Sequence, residues 1–138
     1  MAVHSGRLEF STEGDGDVID LGKGVESVVR SAGVESGMVT VFVPGSTAAV
    51  TTMEVEPGGV RDLRATLDRL IPREGAYEHN RLNRDTNSHA HIRAAIVGPS
   101  ETVPVEGGRL ATGTWQQLVL VDFDDRPRRR TVTVTVVS

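Results

Sequence analysis

The stretch Trp115-Gln116-Gln117-Leu118-Val119-Leu120-Val121-Asp122-Phe123-Asp124 decides the fold. Side chains of a strand alternate between its two faces, so Leu118, Leu120 and Asp122 share one face and Val119, Val121 and Phe123 the other. A strand with one wet face would alternate apolar with polar residues. Here both faces are apolar apart from Asp122, so the strand is covered on both sides.

Outward from it, Met38 to Pro44 is a near-continuous β-branched run and reads as a buried strand. Gly45 and Ser46 interrupt it, and Thr47 to Val55 continues as a strand of small residues. Val3 to Ser11, Asp17 to Leu21, Thr102 to Val105 and Thr131 to Ser138 complete the strands. Asp15-Gly16-Asp17 and Gly107-Gly108 are turn signals. Val25, Val28 and Val29 predict a helix that Gly33 ends. Pro57 suits the first turn of another, whose stripe is Val60, Leu63, Leu67, Leu70 and Ile71, stopped by Pro72. The polar segment from Arg73 to Ser88 has no periodicity and is expected to be a long surface loop, a kind of segment that often carries function. A short helix follows, with Ser88 as its cap and Ile92, Ala95 and Ile96 facing inwards, until Gly98-Pro99. The order β-β-α-β-β-α-(loop)-α-β-β-β predicts one α+β domain over residues 1–138, with an antiparallel-rich sheet or pair of sheets.

Composition agrees. The 138 residues include 21 Val and 13 Thr, about a quarter of the chain, which favours strands. There is no Cys, which excludes disulfides, thiolate metal sites and a Cys nucleophile. The net charge of −4 argues against non-specific nucleic-acid binding. Residues 1–60 hold 9 acids against 3 bases, and residues 61–138 hold 10 against 12. The run Arg128-Arg129-Arg130 is either a solvated or subunit-facing strand start or a phosphate-facing patch, since a guanidinium matches phosphate oxygens with a planar fork. No apolar stretch approaches the roughly 18 residues of a membrane helix. The N-terminus lacks the apolar core of a signal peptide, so a soluble, cytoplasmic protein is expected.

Four His occur, three of them within 13 residues: His79, His89 and His91. Imidazole is the commonest nitrogen ligand of zinc, and three protein ligands plus water make a catalytic site. His-Ala-His puts both rings on one side of extended backbone but splays them by about 200° in a helix. A metal site therefore places the pair in the loop or at the very start of the helix, and His79 could close the set. His4 reads as a surface residue. Glu54 is the best general-base candidate if its strand reaches the loop, and it serves equally well as an acid favouring a helix N-terminus.

Pro44-Gly45-Ser46-Thr47-Ala48-Ala49, Glu54, Tyr77-Glu78-His79-Asn80, His91, Pro104-Val105 and Gly113-Thr114-Trp115-Gln116 together resemble the YjbQ family over nearly the whole chain. The resemblance implies a compact α+β sandwich of mostly antiparallel strands with helices alongside, assembled as a homotrimer, with a metal held by histidines. It also implies a secondary thiamine-phosphate synthase activity, a transferase reaction that joins a pyrimidine methyl diphosphate to a thiazole phosphate. On that pattern Glu54 and His79 are catalytic, and Ser46, Thr47, Asn80, Arg93, Trp115 and Gln116 bind a small phosphorylated substrate. The chain has Gly45 where most members have His, Met53 where they have Asn, and His89 where many have an acid. His89 is then expected to replace the missing ligand, so that His79, His89 and His91 hold a divalent metal, zinc rather than magnesium. A metal-dependent hydrolase and a non-catalytic oligomeric metal- or ligand-binding protein are the other functions such a site could serve.

Overall fold

The computed structural model describes residues 1–138. The elements run β1 (Val3–Thr12), β2 (Asp17–Asp20), α1 (Gly22–Ala32), β3 (Ser36–Phe42), β4 (Ala48–Met53), α2 (Pro57–Leu70), α3 (Glu78–Asn83), α4 (Ser88–Val97), β5 (Ser100–Glu106), β6 (Arg109–Leu110), β7 (Gln117–Asp122) and β8 (Arg128–Val137). They form a five-stranded sheet in the order β1-β8-β3-β5-β6 and a three-stranded sheet in the order β2-β7-β4. Every pairing is antiparallel. The expected α+β architecture is the one observed.

Strand β7 sits in the middle of the smaller sheet and is covered on both faces, as its sequence predicts. Leu118 and Leu120 join Val39, Val41, Val132, Val134, Val136 and the α1 residues Val25 and Val29 in a core between the sheets. Val119, Val121 and Phe123 face the other way, into a second core with Leu67 and Ile71 of the α2 end and Ala90 and Ala94 of α4. The layers are therefore large sheet with α1, small sheet, then helices α2 and α4. No helix is long and apolar enough to cross a membrane.

Four expectations fail in detail. The segment from Arg73 to Ser88 contains α3, a helix of six residues with none buried. So short a helix needs no apolar stripe, and a Glu78–Arg81 ion pair at 2.5 Å supports it locally. Helix α4 buries Ser88, His89, Ala90, Arg93 and Ala94, whereas Ile92 and Ile96 are exposed. Its inward face was mistaken because small residues, not the isoleucines, allow the helix to approach β4. Ser88 is the first helical residue, and Asn87 holds the cap position without a side-chain cap bond. The two-residue β6 adds a strand the pattern did not reveal. Gly107 and Gly108, with φ of +57° and +74°, make the tight turn from β5 into it.

Leu120 has no exposed surface, and Leu82 is largely exposed. Truncating Leu120 to Ala should lower unfolding stability by about 2–5 kcal/mol. Leu82→Ala should stay within about 0.5 kcal/mol. Urea denaturation of the two variants checks this.

Candidate functional site

The site is organised at the start of α4. The Asn87 carboxamide turns away from its own helix. Its Oδ1 accepts from His79 Nε2 at 3.2 Å, and its Nδ2 donates to Asp124 Oδ1 at 3.5 Å. Asn80 serves the helix end in its place, its Oδ1 accepting from the Ser88 N–H at 3.0 Å. Asn83 Nδ2 lies 3.5 Å from His79 Nδ1. Both ring nitrogens of His79 are thus engaged, and the network assigns its proton to Nε2. The His91 ring lies against that of His79, with centroids 4.7 Å apart and planes at 56°.

His91 faces a cavity of about 220 Å³ walled by Gly45, Ser46, Ala48, Ala94, Ala95 and Pro99. A larger depression of about 530 Å³, lined by Ser5, Gly6, Arg7, Thr133 and Thr135, lies across β1 and β8 and carries no imidazole or carboxylate. Of these two, the smaller one carries the imidazole.

His89 does not join this pair. Two residues along a helix rotate a side chain by about 200°, and His89 points into the protein, 1 % exposed, with its Nδ1 lacking any partner. Burial lowers its pKa below the ordinary 6.5, the Arg93 and Arg73 charges push the same way, and Asp125 and Asp15 oppose them. His89 is thus a neutral core residue. No three His, Asp or Glu side chains converge to hold a metal ion. The expected His79, His89 and His91 ligand set is corrected to a His79–His91 pair, and the chain alone does not fit a three-ligand zinc site.

Beneath the cavity lies an ion cluster that sequence reading missed. Asp122 and Asp124 have no exposed surface. Arg130 donates from Nε to Asp122 Oδ2 at 2.7 Å and from Nη2 to Asp122 Oδ1 at 2.9 Å. Arg128 Nε donates to Asp124 Oδ2 at 2.8 Å. Thr12 Oγ1 donates to Asp122 at 2.6 Å, and Thr47 Oγ1 donates to Asp124 at 3.0 Å while accepting from Arg130 at 2.7 Å. Burial alone raises both carboxyl pKa values. For Asp122 the bonds from Arg130, Thr12 and the Asp124 backbone reverse that and lower it. For Asp124 the bonds from the Asp125 backbone, Arg128 and Thr47 hold it at about 2. The available signal was an Asp inside an otherwise apolar strand, followed by an Arg run. In that run only Arg129 faces outwards, pairing with Glu9 at 2.8 Å.

The other candidates divide between places. Ser46 is exposed at the cavity, whereas Thr47 is buried in the ion cluster. Arg93 is turned inwards, its guanidinium holding the Ile71 carbonyl at 2.6 Å and Asp68 at 3.1 Å, so it clamps α4 to α2. Glu54, Trp115 and Gln116 lie at the opposite end of β4. Ala48 pairs with Asp122 and Met53 with Gln117, so six strand residues, roughly 20 Å at about 3.3 Å each, separate the two ends. There Gln116 donates to Thr52 Oγ1 at 3.2 Å, Trp115 is 72 % exposed and Glu54 is exposed. Glu56, rather than Glu54, caps α2, accepting from the Gly58 and Gly59 amides.

The family model described as "UPF0047 protein YjbQ-like" matches residues 6–138, which include every residue of both ends. The chain belongs to the YjbQ/UPF0047 family. A UPF0047 protein of Archaeoglobus fulgidus is 40 % identical over 118 residues, covering 86 % of this chain and 89 % of its own. One from Methanothermobacter thermautotrophicus is 34 % identical over 138 residues, covering 100 % and 94 %. Among solved structures, a YbjQ-like protein of unknown function from Sulfolobus solfataricus superposes with a TM-score of 0.92 at 31 % identity, over 98 % of this chain and 96 % of that one. The YjbQ membership agrees with the fold and with the resemblance carried by the Tyr77–Asn80 and Gly113–Gln116 blocks.

The buried groups predict two acid limbs in stability. A lowered imidazole pKa means that the unfolded chain binds the proton first, so the His89 contribution is complete above pH 6.5 and is lost as pH falls below it. The lowered carboxyl values act in the other window: their contribution is present above about 3.8 and is lost as pH falls toward 2. Denaturation midpoints measured from pH 8 to pH 2.5 should show both limbs, and His89→Leu should abolish the first alone. A first limb that survives in that variant contradicts the assignment.

Proposed function

We propose that the His79–His91 face binds the phosphorylated end of a small substrate in a transferase reaction of the secondary thiamine-phosphate synthase type. The observation that carries this reading is His91, whose ring has no hydrogen-bond partner and faces the cavity beside Ser46. Joining a pyrimidine methyl diphosphate to a thiazole phosphate expels pyrophosphate, and the developing charge needs donors close to the leaving oxygens. His91 can supply a proton or a hydrogen bond there. His79, fixed by Asn87 and Asn83, orients that ring and keeps its tautomer. Asn80 acts by closing the α4 terminus rather than by touching substrate.

No step in this reading passes through a metal held by this chain, which brings only two imidazoles together. A divalent ion, zinc or magnesium, would take its remaining ligands from substrate phosphates or from another subunit. Glu54, Trp115 and Gln116 enter the same reading through assembly as a homotrimer, in which one subunit's Trp115 end could lie against a neighbour's histidine face. Support for assembly is the apolar surface left exposed at Met38, Phe42 and Trp115.

Purified protein supplied with both phosphorylated substrates and magnesium should form thiamine phosphate and pyrophosphate. His91→Ala should lower the rate by about a hundredfold or more, as loss of a general acid does. Light scattering should give three times the 14.8 kDa chain mass. Absence of product together with absence of binding of either substrate overturns the reading.

A further inference from the structure

Arg130 spends Nε and Nη2 on Asp122 and Thr47, but its Nη1 makes no hydrogen bond. The side chain is 90 % buried, yet that nitrogen is not sealed, since His89 Nδ1 is the one fully enclosed side-chain polar atom without a partner. Its outlet lies at Gly45. A Cβ built on Gly45 would stand 2.9 Å from Nη1, and apart from its own chain neighbours nothing else lies within 4 Å of that point. Gly45 also walls the His91 cavity, and its φ of +139° is a conformation that L side chains rarely adopt. The missing side chain therefore leaves Nη1 uncovered beside a residue of the cavity wall.

The geometry points to Arg130 as the anchor of an oxyanion in this cavity, a phosphate-type group reached past Gly45, with Gly45 as the residue that decides access. An oxygen bound at Nη1 would complete the donor fork, and Ser46 and His91 offer further donors on the same wall. The two carboxylates do not forbid this. Asp122 and Asp124 are matched by Arg128 and Arg130, so the cluster carries no net negative charge to repel an anion. The substrate class rests on the function proposed above, whereas the anchoring role of Arg130 does not.

The test is calorimetric titration of the full chain with inorganic pyrophosphate and, separately, malonate. Gly45→Ala places a Cβ 2.9 Å from Nη1 and so blocks that nitrogen while keeping the Arg130 side chain itself. Arg130→Lys keeps a charge for Asp122 and removes Nη1. Each should weaken pyrophosphate binding by about tenfold or more, the loss expected for one charge-assisted hydrogen bond. Both variants are checked by circular dichroism. A crystal of the unaltered chain with pyrophosphate should place an oxygen within about 3.2 Å of Nη1, which needs no variant to fold. Affinity unchanged within twofold in both variants, or pyrophosphate bound away from Nη1, overturns the anchor and leaves the phosphorylated-substrate reading standing. Malonate bound in an Arg130-dependent way, with pyrophosphate ignored, keeps the anchor and overturns that reading. Binding of neither overturns both.

Discussion

The pairing of Asp122 and Asp124 with Arg128 and Arg130 is the constraint on which the rest depends. The aspartates stand at the end of β7 in the small sheet, and the arginines open β8 in the large one. Their bonds close the sandwich at one end, and Thr12 of β1 and Thr47 before β4 add a hydroxyl from each sheet. Two carboxylates without exposed surface could not stay ionised alone, and removing one partner of such a pair costs roughly 3–5 kcal/mol. The cluster also reaches the site. Asp124 holds the Asn87 amide, Asn87 holds His79, and His79 packs on His91. Geometry at the cavity is thus set from below by an interaction whose first duty is to the fold.

The architecture was readable because β7 declares both of its faces. Leu118 and Leu120 against Val119 and Val121 require cover on both faces, which the large sheet with α1 supplies on one side and α2 and α4 on the other. The site was less readable. His-Ala-His does not reveal whether its backbone is extended or helical, and that choice reverses where His89 points. The inward face of α4 was hidden because Ala90 and Ala94 are small, and close approach to β4 favours small residues over the isoleucines that a periodicity count weights most. Arg93 and Arg130 look alike in sequence. One gives its bonds to the Ile71 carbonyl and Asp68, the other to buried Asp122 and Thr47 beside Gly45, a difference that only tertiary contacts create.

The length of β4 separates what the family pattern joins. Motif spacing along the chain suggests one site, yet β4 pairs along its whole length with β7, so its two ends cannot meet. Ser46 and His91 share one end, while Glu54, Trp115 and Gln116 share the other. Within one subunit these are two surfaces. Any chemistry that uses both must bring a second copy of the chain to the first.

The balance of unspent groups decides what the histidine end can hold. A cation wants lone pairs, and the one carboxylate near the His79 ring is Asp85, whose Oδ2 stands 3.7 Å from Nε2 while its Oδ1 accepts from the Thr86 amide. Asp122 and Asp124 are filled by arginines and hydroxyls. The His79 nitrogens are both engaged, which leaves His91 as the free imidazole of the pair. On the donor side, Arg130 Nη1 and the Ser46 hydroxyl make no side-chain hydrogen bond, and His91 can add a third donor when protonated. A place with two or three free donors on its wall and a single carboxylate at its edge favours an anion over a metal ion, whatever other histidines lie nearby in the sequence. His79, held through both ring nitrogens, then serves to position His91 at the cavity wall rather than to ligate an ion.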